Sequence, residues 1–377
     1  MIYKKLCKDG PYISPLGFGS MRLPRDANGE IDRKKSIEII HHCIQSGINI
    51  IDVAPGYSDK KSESIVGVAL KCYAGTQRVY ISGKGYPGYG YPSEFPKILD
   101  DSRRALGVDC IDFYHLWCIG LNCFERWIKQ PDGPFTVIKW AKKYGMIKHF
   151  GFSSHEPPEK LKIMIDSGLF DFVLLQYNIL DRRNEDIIAY AKKNGLGVMT
   201  MGSVVGGKLN GPIGYADELF VDKSINLNDT ALRFVLTNPN VDVALSGMDT
   251  IQMIESNVKT ASDGEELSNT EIVQIKQVSN KFKRLKDLYC TGCDYCKPCQ
   301  KGINISAIFD IMNYHLVYGM DQVAMNSYKA LLDGNYFTKS NSPLSCVECG
   351  ICESRCPQNI PIIKQLKESH KYLTYYR

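Results

Sequence analysis

Short apolar runs alternate with amphipathic stretches from residue 16 to about residue 262, and no two strand-like runs follow each other directly. Short apolar runs bounded by turn residues are typical of buried strands, and apolar residues at helical spacing predict helices. The predicted strands begin at residues 16, 48, 78, 110, 147, 170, 196 and 241. The predicted helices span residues 33–46, 60–72, 93–106, 132–144, 157–167, 183–194, 228–237 and 250–261. Eight alternating strands and helices predict an α/β fold, a (β/α)8 TIM barrel.

Two different segments flank this pattern. Before the first strand, the sequence YKKLCKDGPYIS with its Asp9-Gly10 turn predicts a β-hairpin that plugs the bottom of the barrel. After residue 262 the alternation stops, and helices are predicted at residues 268–287, 305–316 and 321–332. We therefore predict two domains, a barrel at residues 1–262 and an α-helical domain at residues 263–377.

The composition excludes several classes of function. Hydrophobic residues make up 44% of the chain and charged residues 23%, which is ordinary for a globular protein with a sizeable core. The formal net charge of +5 is small for 377 residues, so we expect no nucleic-acid partner. No window approaches the roughly 18 consecutive apolar residues of a membrane span. We therefore expect no membrane association and a cytoplasmic location.

Cysteine usage indicates metal rather than disulfides. Of 14 cysteines, eight crowd into two C-terminal runs, a pattern of metal ligation in a reducing compartment. The second run, CVECGICESRCP, has the Cys-x2-Cys-x2-Cys-x3-Cys-Pro spacing of bacterial ferredoxins, in which the fourth cysteine ligates the other of two four-iron clusters. The first run, CTGCDYCKPCQ, is one residue shorter before its last cysteine.

Shared ligation of this kind predicts two [4Fe-4S] clusters in the C-terminal domain. The predicted ligands are Cys290, Cys293, Cys296 and Cys356 for one cluster, and Cys346, Cys349, Cys352 and Cys299 for the other. The segment between the runs is helical in pattern and resembles the helical type of two-cluster ferredoxin domain. Two structural zinc sites are the alternative, because zinc also accepts four thiolates.

Three polar residues lie near the predicted strand ends of the barrel, where (β/α)8 enzymes place their chemistry. Asp52 ends the second strand, Tyr57 follows it closely, and Lys84 ends the third strand. A lysine ammonium beside a tyrosine favours the phenolate, and a carboxylate keeps the lysine charged and oriented. Together they predict a proton donor for a carbonyl oxygen that accepts a hydride.

The segment from Asp52 to Tyr57 reads DVAPGY, and with Lys84 it resembles the Asp-x-Ala-x-x-Tyr motif and strand lysine of the aldo/keto reductase family. The resemblance covers roughly residues 1–262 and includes GFSSHEP at residue 151, LLQYNILDR at 174, MGSVVGGKL at 201 and SGMDTIQMIESN at 246. It implies a (β/α)8 oxidoreductase that acts on a small carbonyl or alcohol substrate with a nicotinamide cofactor.

The resemblance also implies a set of cofactor contacts. Ser153, Ser154 and Gln176 would hold the nicotinamide carboxamide, and Tyr177 would stack on the nicotinamide ring. Gly206 and Gly207 would approach the pyrophosphate, and Asn257 would reach the adenine. Met253 stands where many NADPH-dependent members have an arginine for the 2′-phosphate. The choice among NADP, NAD and a flavin therefore stays open.

The end of the fourth predicted strand departs from the family pattern Asp-hydrophobic-Tyr-x-x-His. Asp112 and Tyr114 align with this pattern, but Trp117 stands at the histidine position. His115 lies two residues earlier, on the same face of the strand and about 6.6 Å deeper in the barrel. Trp117 offers an N–H donor and no acid-base function. Both residues are catalytic candidates, and a hydrogen-bonded core residue is the alternative for His115.

A nicotinamide passes two electrons together as hydride, whereas a four-iron cluster passes them singly. Aldo/keto reductase-like barrels fused to a C-terminal four-iron region form a recognisable subgroup, which the segments MGSVVGGKL and CTGCDYCKPC resemble. The leading hypothesis is an iron-sulfur oxidoreductase in which Tyr57 donates the proton and the clusters relay electrons to or from a ferredoxin or flavoprotein. The alternatives are a flavin-linked barrel, and an electron-carrying or redox-sensing protein whose barrel lacks hydride transfer.

Overall fold

The computed structural model of the chain contains a closed barrel of eight parallel strands. The described residues are 1–85, 94–128, 133–179, 181–204, 227–282, 290, 294–316, 321–334 and 338–375. The strands are β1 (Lys4–Lys5), β2 (Tyr12–Ile13), β3 (Leu16–Gly19), β4 (Ile50–Asp52), β5 (Tyr80–Gly85), β6 (Ile111–Leu116), β7 (Ile147–Ser154), β8 (Phe172–Gln176), β9 (Gly197–Met201) and β10 (Val243–Ser246). Strands β3 to β10 pair in chain order, and β10 closes the barrel against β3. The predicted (β/α)8 fold is therefore confirmed.

Helices surround the barrel. They are α1 (Arg33–Gln45), α2 (Ser62–Cys72), α3 (Phe95–Leu106), α4 (Leu121–Ile128), α5 (Pro134–Lys143), α6 (Pro158–Asp166), α7 (Glu185–Lys193), α8 (Leu227–Leu236) and α9 (Ile251–Asp263). Helix α4 was not predicted, because its 8 residues are too few to display a helical period clearly. Side-chain caps fix two of the helix starts: Asp32 accepts from the Lys35 N–H, and Thr250 accepts from the Met253 N–H.

The hairpin of β1 and β2 plugs the N-terminal end of the barrel. Its strands pair antiparallel, and its Leu6 and Cys7 are buried in one cluster with Phe113, Phe172 and other interior side chains. The contact is close, because a Cβ on Gly197 would lie 1.9 Å from the Leu6 carbonyl oxygen. The predicted hairpin and its position are confirmed.

A second compact unit begins at Ser268, after the barrel unit that ends at Leu267. Its helices are α10 (Asn269–Phe282), α11 (Ile305–Leu316), α12 (Asp321–Asp333), α13 (Ile351–Ser354) and α14 (Ile362–Tyr375). The buried Ile308, Leu331 and Leu366 belong to one apolar cluster, against which cysteines of both runs pack. The helical character of this region is confirmed, and the division at residue 262 stays a prediction. None of the described helices of the chain is long and apolar enough to cross a membrane.

Replacing Gly197 with alanine should destabilise the barrel by displacing the hairpin. The new Cβ would overlap the Leu6 carbonyl oxygen, a backbone atom that cannot rotate away. Overpacking of this kind costs about 1–3 kcal/mol, which chemical denaturation would detect as a lower free energy of unfolding. Gly19→Ala is the matched control, since the nearest atom to its Cβ lies at 3.5 Å. Equal stability of the two variants would mean that the hairpin does not seat against β9.

Candidate functional site

A buried ion pair lies at the C-terminal ends of β4 and β5. Asp52 and Lys84 are only 3% and 1% exposed. The Lys84 ammonium donates to Asp52 Oδ2, and also to the Val53 carbonyl oxygen at 3.3 Å. Ser82 Oγ donates to the other carboxylate oxygen, Asp52 Oδ1, at 2.8 Å. Burial alone acts to raise the pKa of Asp52, but the Lys84 ammonium outweighs it and holds that pKa below its usual range.

His115 lies next to this ion pair in the barrel core. It is 0% exposed and pairs in register with Lys84 on the neighbouring strand. Its Nε2 is 3.7 Å from Asp52 Oδ1, too far for a hydrogen bond, and neither ring nitrogen has a hydrogen-bond partner among the described residues. The ring instead meets Phe172 edge to face, with centroids 5.7 Å apart. Burial lowers the pKa of His115 to about 4, so the imidazole is neutral at physiological pH.

The loop after β4 carries Tyr57 close to the ion pair. Lys84 Nζ is 4.8 Å from the centroid of the Tyr57 ring, which is a cation–π distance. Residues 58–60 then take three consecutive left-handed conformations, with φ of 48°, 56° and 64°, each of which costs about 1–2 kcal/mol. Ser58 Oγ donates to the Ser20 carbonyl oxygen at 2.8 Å and anchors this turn. Strained backbone therefore fixes the segment that holds Tyr57.

Trp117 contacts Tyr57 at the mouth of the barrel. The two rings meet edge to face, with centroids 5.5 Å apart and an angle of 86°. Gly56 leaves room for this contact, since a Cβ there would lie 3.0 Å from Trp117 Cη2. Cys118 follows with a φ of 54°, and its N–H donates to Ser153 Oγ at 2.9 Å. The turn after β6 thus directs the indole toward Tyr57.

The side chains expected at the nicotinamide carboxamide lie on the rim formed by β7 and β8. Ser153 accepts the hydrogen bond that holds the Trp117 turn. Ser154 Oγ donates to the Ile119 carbonyl oxygen at 2.6 Å. Gln176 Nε2 donates to Asp181 Oδ2 at 3.0 Å. All three predicted cofactor groups are therefore already engaged in hydrogen bonds within the chain, and their cofactor role stays a prediction.

The other predicted cofactor residues have different surroundings. The Tyr177 ring stacks on Phe234 with centroids 5.3 Å apart, and its hydroxyl donates to Glu185 at 3.1 Å. This ring is packed among the outer helices, a position that gives no support to stacking on a nicotinamide. Asn257 on α9 donates to Ser246 Oγ at 3.3 Å. Outside the described residues lie Gly206 and Gly207.

The two cysteine runs line cavities in the second unit. One cavity, of about 200 Å³, is lined by Cys299, Cys346, Cys349 and Cys352. The other is lined by Cys290, Cys296 and Cys356, and Cys296 borders both. Cys293 lies outside the described residues. Because Cys296 borders both cavities, the division into two ligand sets stays a prediction.

The spacing of the thiols bears on which metal they suit. A zinc ion needs its four sulfurs at about 2.3 Å from one centre. Within the described part of the chain, no three His, Cys, Asp or Glu side chains are grouped closely enough to hold one ion. The preference for a cluster over zinc rests on the cysteine spacing of the two runs.

Two serines of the barrel site were not predicted. Ser82 lies two residues before Lys84 and so faces the same side of the strand, a signal by which it could have been found. Ser58 directly follows Tyr57, but nothing in the sequence indicates its left-handed backbone, which glycine and asparagine adopt far more readily.

Comparison with known families gives two matches along the chain. The model described as the aldo/keto reductase family matches residues 15–280. The model described as a 4Fe-4S dicluster domain matches residues 289–361. The first match ends before the cysteine runs and the second spans both of them, so the barrel and the cluster region are recognised separately.

Three individual proteins illustrate the similarity. An uncharacterized oxidoreductase of Schizosaccharomyces pombe is 28% identical over 262 residues, which are 66% of this chain and 82% of the relative. The holo form of an aldo-keto reductase from Bacillus halodurans superposes with a TM-score of 0.62 at 24% identity, covering 74% of this chain and 96% of that chain. An aldo/keto reductase from Klebsiella pneumoniae, solved with NADP and acetate, gives a TM-score of 0.59 at 19% identity and covers 74% and 96%. The two structures show the shared fold.

The neutral state of His115 should make the stability of the barrel depend on pH. Burial lowers its folded pKa from 6.5 to about 4, so between these values the unfolded chain binds a proton that the folded chain does not. The free energy of unfolding should therefore fall as the pH drops through this window, with about 1.4 kcal/mol per pH unit from this residue. Denaturation at several pH values should show that the free energy of unfolding changes less steeply with pH in His115→Leu than in the unaltered protein. Parallel slopes for the two proteins would contradict a neutral His115.

Proposed function

Because the chain belongs to the aldo/keto reductase family and is an oxidoreductase, we propose that its barrel interconverts carbonyl and alcohol groups of a small substrate with a nicotinamide cofactor. The observation that carries the proposal is the contact of the buried Lys84 ammonium with the Tyr57 ring, at 4.8 Å from its centroid. A cation held there by Asp52 favours a tyrosine that can give up its proton.

In this proposal each residue of the site has a separate task. A bound nicotinamide would supply or take up a hydride. Tyr57 donates a proton to the substrate oxygen during reduction and takes it back during alcohol oxidation. Lys84 stabilises the phenolate that forms, and Asp52 keeps Lys84 charged and oriented. Ser82 holds the free carboxylate oxygen of Asp52, so that the carboxylate cannot turn away.

Trp117 takes the place of the histidine in the family pattern, and its role differs accordingly. An indole has one N–H donor and no group that exchanges a proton near neutral pH. Its edge-to-face contact with Tyr57 supports a flat wall beside the proton donor, against which an apolar part of the substrate packs. His115 is buried and neutral and lies beside Asp52 without a hydrogen bond to it, so in this proposal it does not contact the substrate.

Either NADP or NAD fits this proposal. The Klebsiella pneumoniae enzyme, which has the same fold, was solved with NADP, and barrels of this kind place their active sites at the C-terminal rim. Ser153, Ser154 and Gln176 lie on that rim and would exchange internal hydrogen bonds for bonds to a carboxamide. Met253 at the family's arginine position carries no charge for a 2′-phosphate, so this residue does not select NADP.

The C-terminal domain binds iron-sulfur clusters, as its match to the dicluster family implies. We propose two clusters, one held by Cys290, Cys293, Cys296 and Cys356, and one by Cys299, Cys346, Cys349 and Cys352. The cavities lined by these two sets support the assignment. We further propose that the clusters relay single electrons to or from a partner protein, since two one-electron steps balance one hydride.

Tyr57→Phe should lower turnover by roughly 10²–10⁴-fold, because only the donated proton is lost. Anaerobic oxidation of NADPH and NADH, with a panel of small aldehydes and ketones, measures this effect. Tyr114→Phe is the matched control, since the buried Tyr114 hydroxyl has no hydrogen-bond partner among the described residues. Unchanged turnover in Tyr57→Phe would remove Tyr57 from the mechanism.

Cys349→Ser should remove one cluster and leave the other. Chemical analysis of anaerobically purified protein is expected to find about eight iron and eight sulfide per unaltered chain, and about four of each in the variant. Cys72→Ser, at an exposed cysteine on α2, should leave both contents unchanged. Stoichiometric zinc in place of iron would overturn the cluster assignment.

A further inference from the structure

Apolar side chains are exposed beside the second cysteine run. Leu344 is 75% exposed and Val347 is 56% exposed, and they flank Cys346 on both sides. Leu344 is held in a short 3-10 turn, where its N–H donates to Ser342 Oγ at 3.3 Å. Cys349, two residues beyond Val347, is itself exposed. These two exposed side chains give the surface beside the second cysteine run an apolar character.

Cations without acidic partners border the same cavity. Lys301 and Arg355 are exposed and line the cavity of the second cysteine run, and neither forms an ion pair with any described residue. The nearby acids are already engaged. Glu348 pairs with Lys367 at 2.5 Å, and Glu353 accepts from the Ile363 N–H at 2.8 Å. Among the described residues, the charged side chains that line this cavity are these two cations.

We propose that this surface, the cysteine-loop face formed by Lys301, Leu344, Val347, Cys349 and Arg355, is the docking site of a small acidic one-electron carrier protein. The inference rests on the proposed cluster at Cys299, Cys346, Cys349 and Cys352. A carrier seated here contacts the loop that holds the cluster, so a single electron crosses a short distance in either direction. The carrier's acidic groups face Lys301 and Arg355, and its apolar centre meets Leu344 and Val347.

The small apolar area and the positive charges of the cysteine-loop face favour a small acidic partner. Two apolar side chains form a small patch, which suits the small interfaces of transient redox pairs rather than an obligate dimer. Complementary charge raises the rate of encounter, and this gain falls as salt screens it. A partner that binds and leaves quickly is what successive single-electron transfers require.

Stopped-flow mixing of the reduced, desalted holoprotein with an oxidised carrier tests the proposal. The acidic probe is a rubredoxin, the basic probe is a c-type cytochrome, and a neutral quinone reports any change in the cluster itself. With rubredoxin the second-order rate should fall as ionic strength rises, and Lys301→Glu with Arg355→Glu should lower it roughly tenfold at low salt. Leu344→Ser should lower it further, and the quinone rate should not change.

Controls separate the docking face from the cluster that it serves. Lys329→Glu, at an exposed lysine on α12, should leave the rubredoxin rate unchanged. Every variant is analysed for iron, since loss of iron would point to the cluster assignment rather than to docking. If variants with full iron content react with rubredoxin at an unchanged rate after the Lys301 and Arg355 substitutions, the proposal is overturned. A rate with the basic cytochrome that rises as ionic strength falls would overturn the proposal as well. So would a dimer, observed in sedimentation, that Leu344→Ser dissociates.

Discussion

The buried ion pair between Lys84 and Asp52 is the interaction on which the barrel site depends. Either charge alone would be uncompensated in the interior, and removal of one partner of such a pair typically costs about 3–5 kcal/mol. The pair also ties neighbouring strands at the barrel mouth, since Asp52 lies opposite Ser82 and Lys84 opposite His115 in register. An ammonium group is thereby fixed beside Tyr57, as the proposed proton transfer requires.

Much of this arrangement could be predicted from the sequence, because a barrel brings strand ends together whatever loops join them. Asp52 and Lys84 stand at such ends, and their pairing follows from the topology alone. The turn at residues 58–60 could not be predicted, since its left-handed residues are not glycines. Because of this turn α2 begins at residue 62 instead of residue 60. The packing of Trp117 over Gly56 was equally hidden, because it depends on the direction of a loop.

In the cysteine region the type of metal site could be predicted from the sequence, but the surface around the site could not. Ligand spacing is a local property, so the iron-sulfur character of this region could be predicted before any fold was known, and the shared ligation stays a prediction. The exposure of Leu344 and the unpaired charge of Lys301 and Arg355 depend on how α14 and the loops pack, and no sequence pattern signals them. The ring of Tyr177 is packed against Phe234, a contact that the sequence did not indicate, and its predicted contact with the cofactor stays a prediction.

A nicotinamide passes electrons in pairs and a four-iron cluster passes them singly, and the proposed function requires that the barrel be active in hydride chemistry. Anaerobic titration of the iron-loaded protein with NADPH and then NADH, by calorimetry and by absorbance, tests this requirement most directly. The proposed hydride chemistry predicts that either NADPH or NADH binds saturably, with about one molecule per chain, and that this cofactor is oxidised when a carbonyl substrate is present. Protein with full iron that neither binds nor oxidises either cofactor would contradict it.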